Sequence, residues 1–159
     1  MNKIAKFYKV SENEFNKSES KANYNDVILP KRATKGSAGY DFFAPETFTL
    51  NPKETVKIAT GIRAKINDGW VLMIFPRSGL GFKYRLTLDN TVGVIDSDYF
   101  NAENEGHIFI KMTNCGEKPL TVEKGKAFAQ GVFLPFGITV DDICDNARTG
   151  GLGSTDKSF

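Results

Sequence analysis

The sequence predicts an all-β fold, a sandwich or barrel of many short strands. Gly and Pro supply 15 and 6 of the 159 residues, so the chain must turn often, which favours short strands over long helices. From position 27 onward apolar residues recur with a period of two, as they do in strands with one buried face. The length suits a single domain, 1–159, that can bury a core of its own.

The alternation is clearest at 55–66, where every second residue from 56 onward is apolar or Thr, and it predicts a half-buried strand. Asn67, Asp68 and Gly69 follow, and this turn signal predicts a hairpin into a strand at 70–75. The other predicted strands are 40–43, 48–50, 91–95, 107–113, 120–122, 128–134 and 138–140.

Residues 1–26 form an N-terminal extension with one helix signal. Ser11 and Glu14 are spaced as a capping box, and Val10 and Phe15 as a hydrophobic staple, which predicts a short helix at about 12–20. Because Phe15 is the only apolar anchor of this helix, we expect a surface appendage whose polar continuation, 17–25, frays into a linker.

Charge and ligand counts exclude several classes of function. Lys plus Arg is 21 and Asp plus Glu is 19, and the resulting net charge of +2 argues against a nucleic-acid-coating protein. The single His107, with Cys115 and Cys144 in no metal spacing, cannot build a zinc site, a Ser-His-Asp triad or a disulfide framework. Catalysis must therefore use carboxylates, main-chain amides, Arg or Lys, or a hard cation.

The chain also lacks the signals of export and membrane insertion. Its first ten residues carry three lysines without the apolar stretch of a signal peptide. The longest apolar run, 70–75, is far shorter than the ~18 residues that a membrane span needs. We expect a cytoplasmic protein with free thiols and no membrane partner.

Three segments and the C-terminal arm, 145–159, carry groups suited to phosphate chemistry. Arg77 and its glycine-rich neighbours could present a forked donor and main-chain amides to an anion, or form an ordinary glycine turn. Asp96 at a strand end could take a proton from water or hold a cation, or simply begin an Asx turn. Asp41 follows tight glycine-permitted backbone, and the arm has hydroxyls, glycines and Arg148, a composition also typical of a flexible terminus.

In this order the segments resemble the five motifs of the trimeric dUTPase family, the dUTP diphosphatases. The matching segments are 38–41 (Ala-Gly-Tyr-Asp), 76–81 (Pro-Arg-Ser-Gly-Leu-Gly), 90–99, 125–130 and 148–155. The resemblance implies a jelly-roll-like β domain that forms a homotrimer with sites between subunits. It also implies a hydrolase of nucleotide metabolism that converts dUTP to dUMP and pyrophosphate with Mg²⁺, keeping uracil out of DNA and supplying dUMP for thymidylate synthesis.

The resemblance also implies roles for single residues. Asp96 would be the general base that orients a water towards the α-phosphorus, and Asp41 would hold Mg²⁺. The phosphates would be bound by Arg77, Ser78, Gly79 and Gln130.

Uracil would be selected by Asn90, by main-chain groups of Val94 and Ile95, and by a facing strand near Phe109. The ring of Tyr99 would pack on the deoxyribose and leave no room for a 2′-hydroxyl. The arm would close over the nucleotide through Arg148, Leu152, Gly153, Ser154 and Thr155.

The sequence departs from the family pattern in three places. Residues 100–105 are an insertion before Gly106, Leu152 stands where many relatives have Phe, and Lys126 stands where Arg is common. Two other functions remain open: deamination of dCTP by a related enzyme, and a regulatory module that binds a protein partner through the 100–105 insertion.

Overall fold

The computed structural model describes residues 2–146, 148 and 150, and these form an all-β fold with few helices. The all-β, jelly-roll-like prediction is confirmed. The strands are β1 (Ala5–Lys9), β2 (Lys31–Arg32), β3 (Tyr40–Phe43), β4 (Phe48–Leu50), β5 (Thr55–Ala59), β6 (Ile62–Ile66), β7 (Trp70–Pro76), β8 (Leu86–Leu88), β9 (Gly93–Ile95), β10 (Phe109–Asn114), β11 (Leu120–Val122) and β12 (Ala127–Pro135). The helices are α1 (Glu12–Asn16), α2 (Ser78–Tyr84) and the 3₁₀ helices Tyr24–Asp26 and Ser97–Asn101.

The strands pair antiparallel in sheets ordered β2-β3-β12-β7-β9, β5-β10-β8, β1-β6 and β11-β4. Leu72 and Ile74 of β7 and Ile110 and Met112 of β10 are at most 2% exposed, while their strand neighbours are partly exposed or solvent-facing. The period of two therefore places one face of each sheet in a shared core.

The alternating stretch 55–66 is interrupted at Gly61. The glycine has a φ of +70°, where a Cβ would lie 2.8 Å from Val27 and 3.2 Å from Phe15. The left-handed backbone sends β5 and β6 into different sheets, with β5 pairing β10 and β6 pairing β1. The single predicted strand is therefore two.

The turn at 67–69 exists, but the hairpin predicted from it is wrong. Trp70 donates a main-chain hydrogen bond to Asn67 at 3.3 Å, and Gly69 has a φ of +78°. Yet β6 pairs with β1, whereas β7 pairs with β12 along its whole length and with β9. A tight turn reverses the chain without fixing its partner, and here it joins two sheets.

The N-terminal extension belongs to the fold, and the surface-appendage prediction is wrong. Half of the predicted capping box forms, since Glu14 N donates to Ser11 Oγ at 3.1 Å, but Ser11 N donates to Glu105 and not to Glu14. Helix α1 ends at Asn16 instead of near 20. Val10 and Phe15 are 1% exposed, so the staple is buried in the core. Strand β1, which the sequence analysis missed, adds an edge to β6.

The strand predicted at 138–140 does not form within the described residues. Ile138 and Ile143 are 74% and 91% exposed, and Val140 is fully exposed. No helix in the described part of the chain is long and apolar enough to cross a bilayer.

Candidate active site

Two predicted phosphate-binding residues, Arg77 and Gln130, lie with the predicted magnesium ligand Asp41 at one end of the five-stranded sheet. Gln130 of β12 lies directly opposite Asp41 of β3, and Arg77 follows the last residue of β7. Arg77 Nε lies 3.5 Å from Asp41 Oδ1, and Gln130 Nε2 donates to Pro76 O at 3.2 Å. Gly39 leaves room for the Gln130 amide beside them, because a Cβ there would lie 2.6 Å from Gln130 Oε1 and would push that amide aside.

Ser78 and Gly79 continue this cluster in the first turn of α2. The segment, for which the sequence left an anion site and an ordinary glycine turn open, forms a short helix with Arg77 at its N-cap position, where the Arg77 side chain makes no capping hydrogen bond. Both residues are exposed, and they line an open cleft of about 400 Å³ with Arg77 and Lys83. Two cations and two small residues at one cleft suit an anion with several oxygens. Lys83 lies outside the matching segments 76–81 and 90–99, so the resemblance did not assign it to the site.

The groups around Asp41 decide whether its carboxylate can hold a magnesium ion. No three His, Cys, Asp or Glu side chains converge as a metal cage within the described residues. Mg²⁺ commonly binds through one or two carboxylates together with substrate phosphates and its own waters. A single carboxylate beside the cationic cleft therefore fits a magnesium ion that arrives with a triphosphate.

The second cluster surrounds Asp96, which directly follows β9. Arg148 Nη2 lies 2.8 Å from Asp96 Oδ2, and Arg148 Nε lies 2.9 Å from Asp98 Oδ1. The guanidinium carbon of Arg148 is also 5.6 Å from the centre of the Tyr99 ring. Half of the Asp96 side chain is exposed, so one carboxylate oxygen is held by Arg148 while water can reach the group.

Tyr99 is held in place beside this carboxylate. Its side chain is buried, its hydroxyl donates to His107 O at 2.7 Å, and Asn104 Nδ2 donates to that hydroxyl at 2.9 Å. Burial raises the pKa of the Tyr99 hydroxyl above its ordinary value. The phenol is therefore neutral in the folded chain.

The residues predicted to select uracil lie in two sheets and in the loop that joins strands β8 and β9 of those sheets. Val94 and Ile95 are in β9, at the edge of its sheet, opposite Met73 and Leu72. Phe109 begins β10 of the other sheet, opposite Ala59.

Asn90 is exposed in the loop between these two sheets, and Asp89 N donates to Lys111 O of β10 at 3.0 Å. Edge strand β9 carries main-chain groups available to a base, as the prediction requires.

One chain keeps its two clusters apart. Ile95, the residue before Asp96, lies opposite Leu72 of β7, and Arg77 comes five residues after Leu72. Five residues of an extended strand span about 17 Å, which separates Arg77 from the end of β9. Asp96 is thus brought to Tyr99 and Arg148, but not to Arg77, Asp41 or Gln130. Leu152, Gly153, Ser154 and Thr155 lie outside the described residues.

The 100–105 insertion packs on the N-terminal extension. Both Glu105 carboxylate oxygens accept from Ser11, from its main-chain N at 2.8 Å and from its Oγ at 2.6 Å. Arg63 stacks on the Phe100 ring at 3.6 Å and donates to the Phe100 carbonyl. Asn101 and Glu103 remain exposed, and a regulatory contact there stays a prediction.

Comparison with known proteins agrees with the motif order. The family model described as dUTPase matches residues 25–156. A deoxyuridine 5′-triphosphate nucleotidohydrolase of Lactococcus lactis is 45% identical over 132 residues, which cover 81% of this chain and 88% of that protein. The protein of the same name from Hahella chejuensis is 43% identical over 140 residues, covering 82% and 88%.

Solved structures show the same similarity. The dUTPase of Streptococcus mutans superposes with a TM-score of 0.67 at 36% identity, covering 84% of this chain and 97% of that one. A Staphylococcus bacteriophage 80alpha dUTPase reaches 0.68 at 22% identity, covering 99% and 97%, and shares the fold. With a family match over most of its length and relatives above 40% identity, this chain belongs to the dUTPase family.

Proposed function

We propose that this chain hydrolyses dUTP to dUMP and pyrophosphate as a homotrimer whose sites lie between subunits. The observation that carries the proposal is the separation of Asp96 from Arg77 along β7. A base that activates water at the α-phosphorus must act within a few ångströms of the groups that bind the phosphates. Two chains can bring the clusters together where one chain cannot.

The exposed segment 138–143 supports association between chains. Ile138, Val140 and Ile143 present their side chains to solvent in the isolated chain. Exposed apolar side chains grouped in this way mark a contact surface in soluble proteins. The alternation of Ile138 and Val140 with polar residues suits a short strand that pairs with a neighbouring subunit.

In the assembled site, Asp96 accepts a proton from the attacking water. Arg77, Gln130 and the exposed Ser78 and Gly79 bind the phosphate oxygens on which negative charge accumulates. Mg²⁺ held by Asp41 and the phosphates would neutralise part of that charge. Arg148 leaves the Asp96 carboxylate for the phosphates as the arm, with Leu152 to Thr155, closes.

Base selection follows from buried hydrogen bonding. Uracil offers an acceptor, a donor and an acceptor along its pairing edge, and cytosine reverses part of that order. The edge of β9 at Val94 and Ile95, with Asn90 in the adjoining loop, supplies matching groups. A site of this kind leaves polar groups unpaired with the wrong base, which can reduce kcat/KM by about 10⁴-fold.

We also place the protein in the cytoplasm, where dUTP removal keeps uracil out of DNA and dUMP supplies thymidylate synthesis. Cys115 and Cys144 are exposed and form no disulfide, as expected for a reducing compartment.

The first test is pyrophosphate release from dUTP, dTTP, dCTP and UTP with Mg²⁺, with uracil formation from dCTP followed in parallel. We expect release from dUTP alone, and a loss of about 10³-fold or more in a folded Asp96→Asn variant. Asp68→Asn is the matched control, since Asp68 is an exposed carboxylate near Ser97 and outside the site. Deamination of dCTP, or equal effects of both variants, would contradict the proposal.

The second test asks whether two chains build one site. Asp96→Asn and Arg77→Ala chains are each expected to be inactive, and are unfolded and refolded together in equal amounts. In a random trimer about one quarter of the interfaces then combine an intact Asp96 with an intact Arg77 from the neighbour. We expect about one quarter of wild-type activity, whereas a site within one chain would give none.

A further inference from the structure

The 100–105 insertion reaches back to the hydroxyl of Tyr99. Asn104 Nδ2 donates to Tyr99 Oη at 2.9 Å, and that hydroxyl donates to His107 O at 2.7 Å. The hydroxyl end of the ring is therefore hydrogen-bonded to the insertion through Asn104 and to the main chain at His107, shortly before β10. A side chain whose tip has both a donor and an acceptor partner loses most of its rotational freedom.

The amide of Asn104 is itself held in one orientation. Its Oδ1 accepts from Gly106 N at 3.1 Å, which directs the Nδ2 group towards Tyr99. Gly106 has a φ of +72°, and a Cβ on it would lie 2.5 Å from Tyr99 O, so the turn needs glycine at this place. The turn thus packs against the same tyrosine that its asparagine contacts.

Contacts on both sides of Asn104 hold the insertion against the rest of the fold. Glu105, the next residue, accepts two hydrogen bonds from Ser11, and Arg63 packs on Phe100 at the start of the insertion. The N-terminal extension, which precedes the matching segments, therefore contacts the insertion through Ser11 and Glu105. The result is a rigid support, which a solvated loop would not provide.

We propose that Asn104 is a positioning residue for Tyr99, and that the insertion sets how strictly the enzyme rejects a ribose sugar. The proposal rests on the role of Tyr99 in the proposed function, where its ring packs on the deoxyribose. A ring excludes a 2′-hydroxyl only if it cannot move aside, since a small displacement makes room for one oxygen. Asn104 and His107 O prevent that displacement.

Two substitutions of Asn104 distinguish its contact with Tyr99 from its part in forming the turn. Asn104→Ala removes both the acceptor for Gly106 and the donor to Tyr99. Asn104→Asp keeps an acceptor for Gly106 but replaces the Nδ2 donor, which lies 2.9 Å from Tyr99 Oη and 3.5 Å from His107 O, with a charged oxygen that cannot donate to either. Asn101→Ala removes an exposed amide from the same insertion and is the matched control.

We expect both Asn104 variants to lower the dUTP-over-UTP ratio of kcat/KM by about tenfold, through a higher KM for dUTP and a better use of UTP. The kcat for dUTP should change less than threefold, and Asn101→Ala should match wild type. In a double-mutant cycle, Asn104→Asp should add little to Tyr99→Phe, because the contact is already lost.

If a folded Asn104→Asp variant kept the wild-type dUTP-over-UTP ratio of kcat/KM, the proposal would be overturned. Asn104 would then only form the turn. Additive effects of Asn104→Asp and Tyr99→Phe would overturn it as well. Failure of the proposed function is a separate result: wild-type protein would then hydrolyse neither dUTP nor UTP, and this would be seen before any variant is compared.

Discussion

Arg148 holds Asp96 through an ion pair of 2.8 Å between Nη2 and Oδ2. The arginine arises in the C-terminal arm, and the carboxylate is the proposed general base. Before substrate binds, Arg148 thus occupies one oxygen of the group that must receive a proton. A triphosphate offers the guanidinium more negative charge than a single carboxylate does. Substrate binding would thus draw Arg148 to the phosphates and free the Asp96 carboxylate to accept a proton.

We expect Arg148→Ala to lower kcat/KM for dUTP by about 100-fold, because a phosphate-binding cation is lost. The melting temperature should change little, since partly exposed ion pairs contribute about 0–1 kcal/mol. Arg148→Lys should be intermediate, because it keeps the charge without the forked donor. Steady-state kinetics and thermal melting measure both. Faster turnover in Arg148→Ala would show that Arg148 only restrains Asp96.

Local sequence signals predicted the position of several strands but not how the strands pair. The alternation and turn residues at 40–43, 48–50 and 120–122 gave three strands with the observed bounds. They could not predict sheet partners, because the turn at 67–69 fixes only a reversal of the chain. The pairing of β7 with β12 joins residues about sixty positions apart, and nothing local encodes it.

The candidate site shows the same limit. Glycines and polar residues at strand ends identified Asp41, Arg77 and Asp96, and the structure places each at such an end or beside it. Their separation along β7 depends on strand order. Strand β1 was missed because its three neighbouring lysines interrupt the apolar pattern around Phe7. The centre of the Phe7 ring lies 5.3–5.8 Å from the ring centres of Tyr40, Phe42 and Phe133.

His107 makes the folded protein sensitive to mild acid. Its side chain is fully buried and Nε2 accepts from Gly61 N at 2.9 Å, so the neutral ring is the form that fits. Burial lowers its pKa from 6.5 to about 4, although Glu14 and Glu105 pull in the other direction.

Below pH 6.5 the unfolded chain binds a proton at this position and the folded chain does not. The free energy of unfolding should therefore fall between pH 6.5 and 4, by about 3 kcal/mol in total. Urea unfolding at several pH values measures it. His107→Gln is the control, because its amide oxygen can accept from Gly61 without titrating. The same pH slope in both proteins over this window would contradict the assignment.

Glu105 should stabilise the fold through Ser11. Its carboxylate accepts from the main chain and the hydroxyl of Ser11, and these hydrogen bonds lower the pKa of Glu105. We expect Glu105→Ala to lower the free energy of unfolding by about 1–2 kcal/mol, because hydrogen bonds to a charged group are lost. Urea unfolding measures the loss. Glu103→Ala, at an exposed position two residues earlier, should change stability by less than about 0.5 kcal/mol.

Gly61 provides the sharpest test of how α1 packs. Its φ of +70° costs a residue with a Cβ about 1–2 kcal/mol, and that Cβ would meet Val27 at 2.8 Å and Phe15 at 3.2 Å. We expect Gly61→Ala to lower the free energy of unfolding by about 3 kcal/mol in urea unfolding.

Gly69→Ala is the matched control for backbone strain, since Gly69 has a φ of +78° and open space around it. It should cost about 1 kcal/mol, so the difference between the two variants measures how tightly Val27 and Phe15 pack against Gly61. Val27→Ala should relieve part of the Gly61→Ala cost, because the two changes share one space. Equal losses in both glycine variants would mean that neither Val27 nor Phe15 of α1 packs against Gly61 in solution.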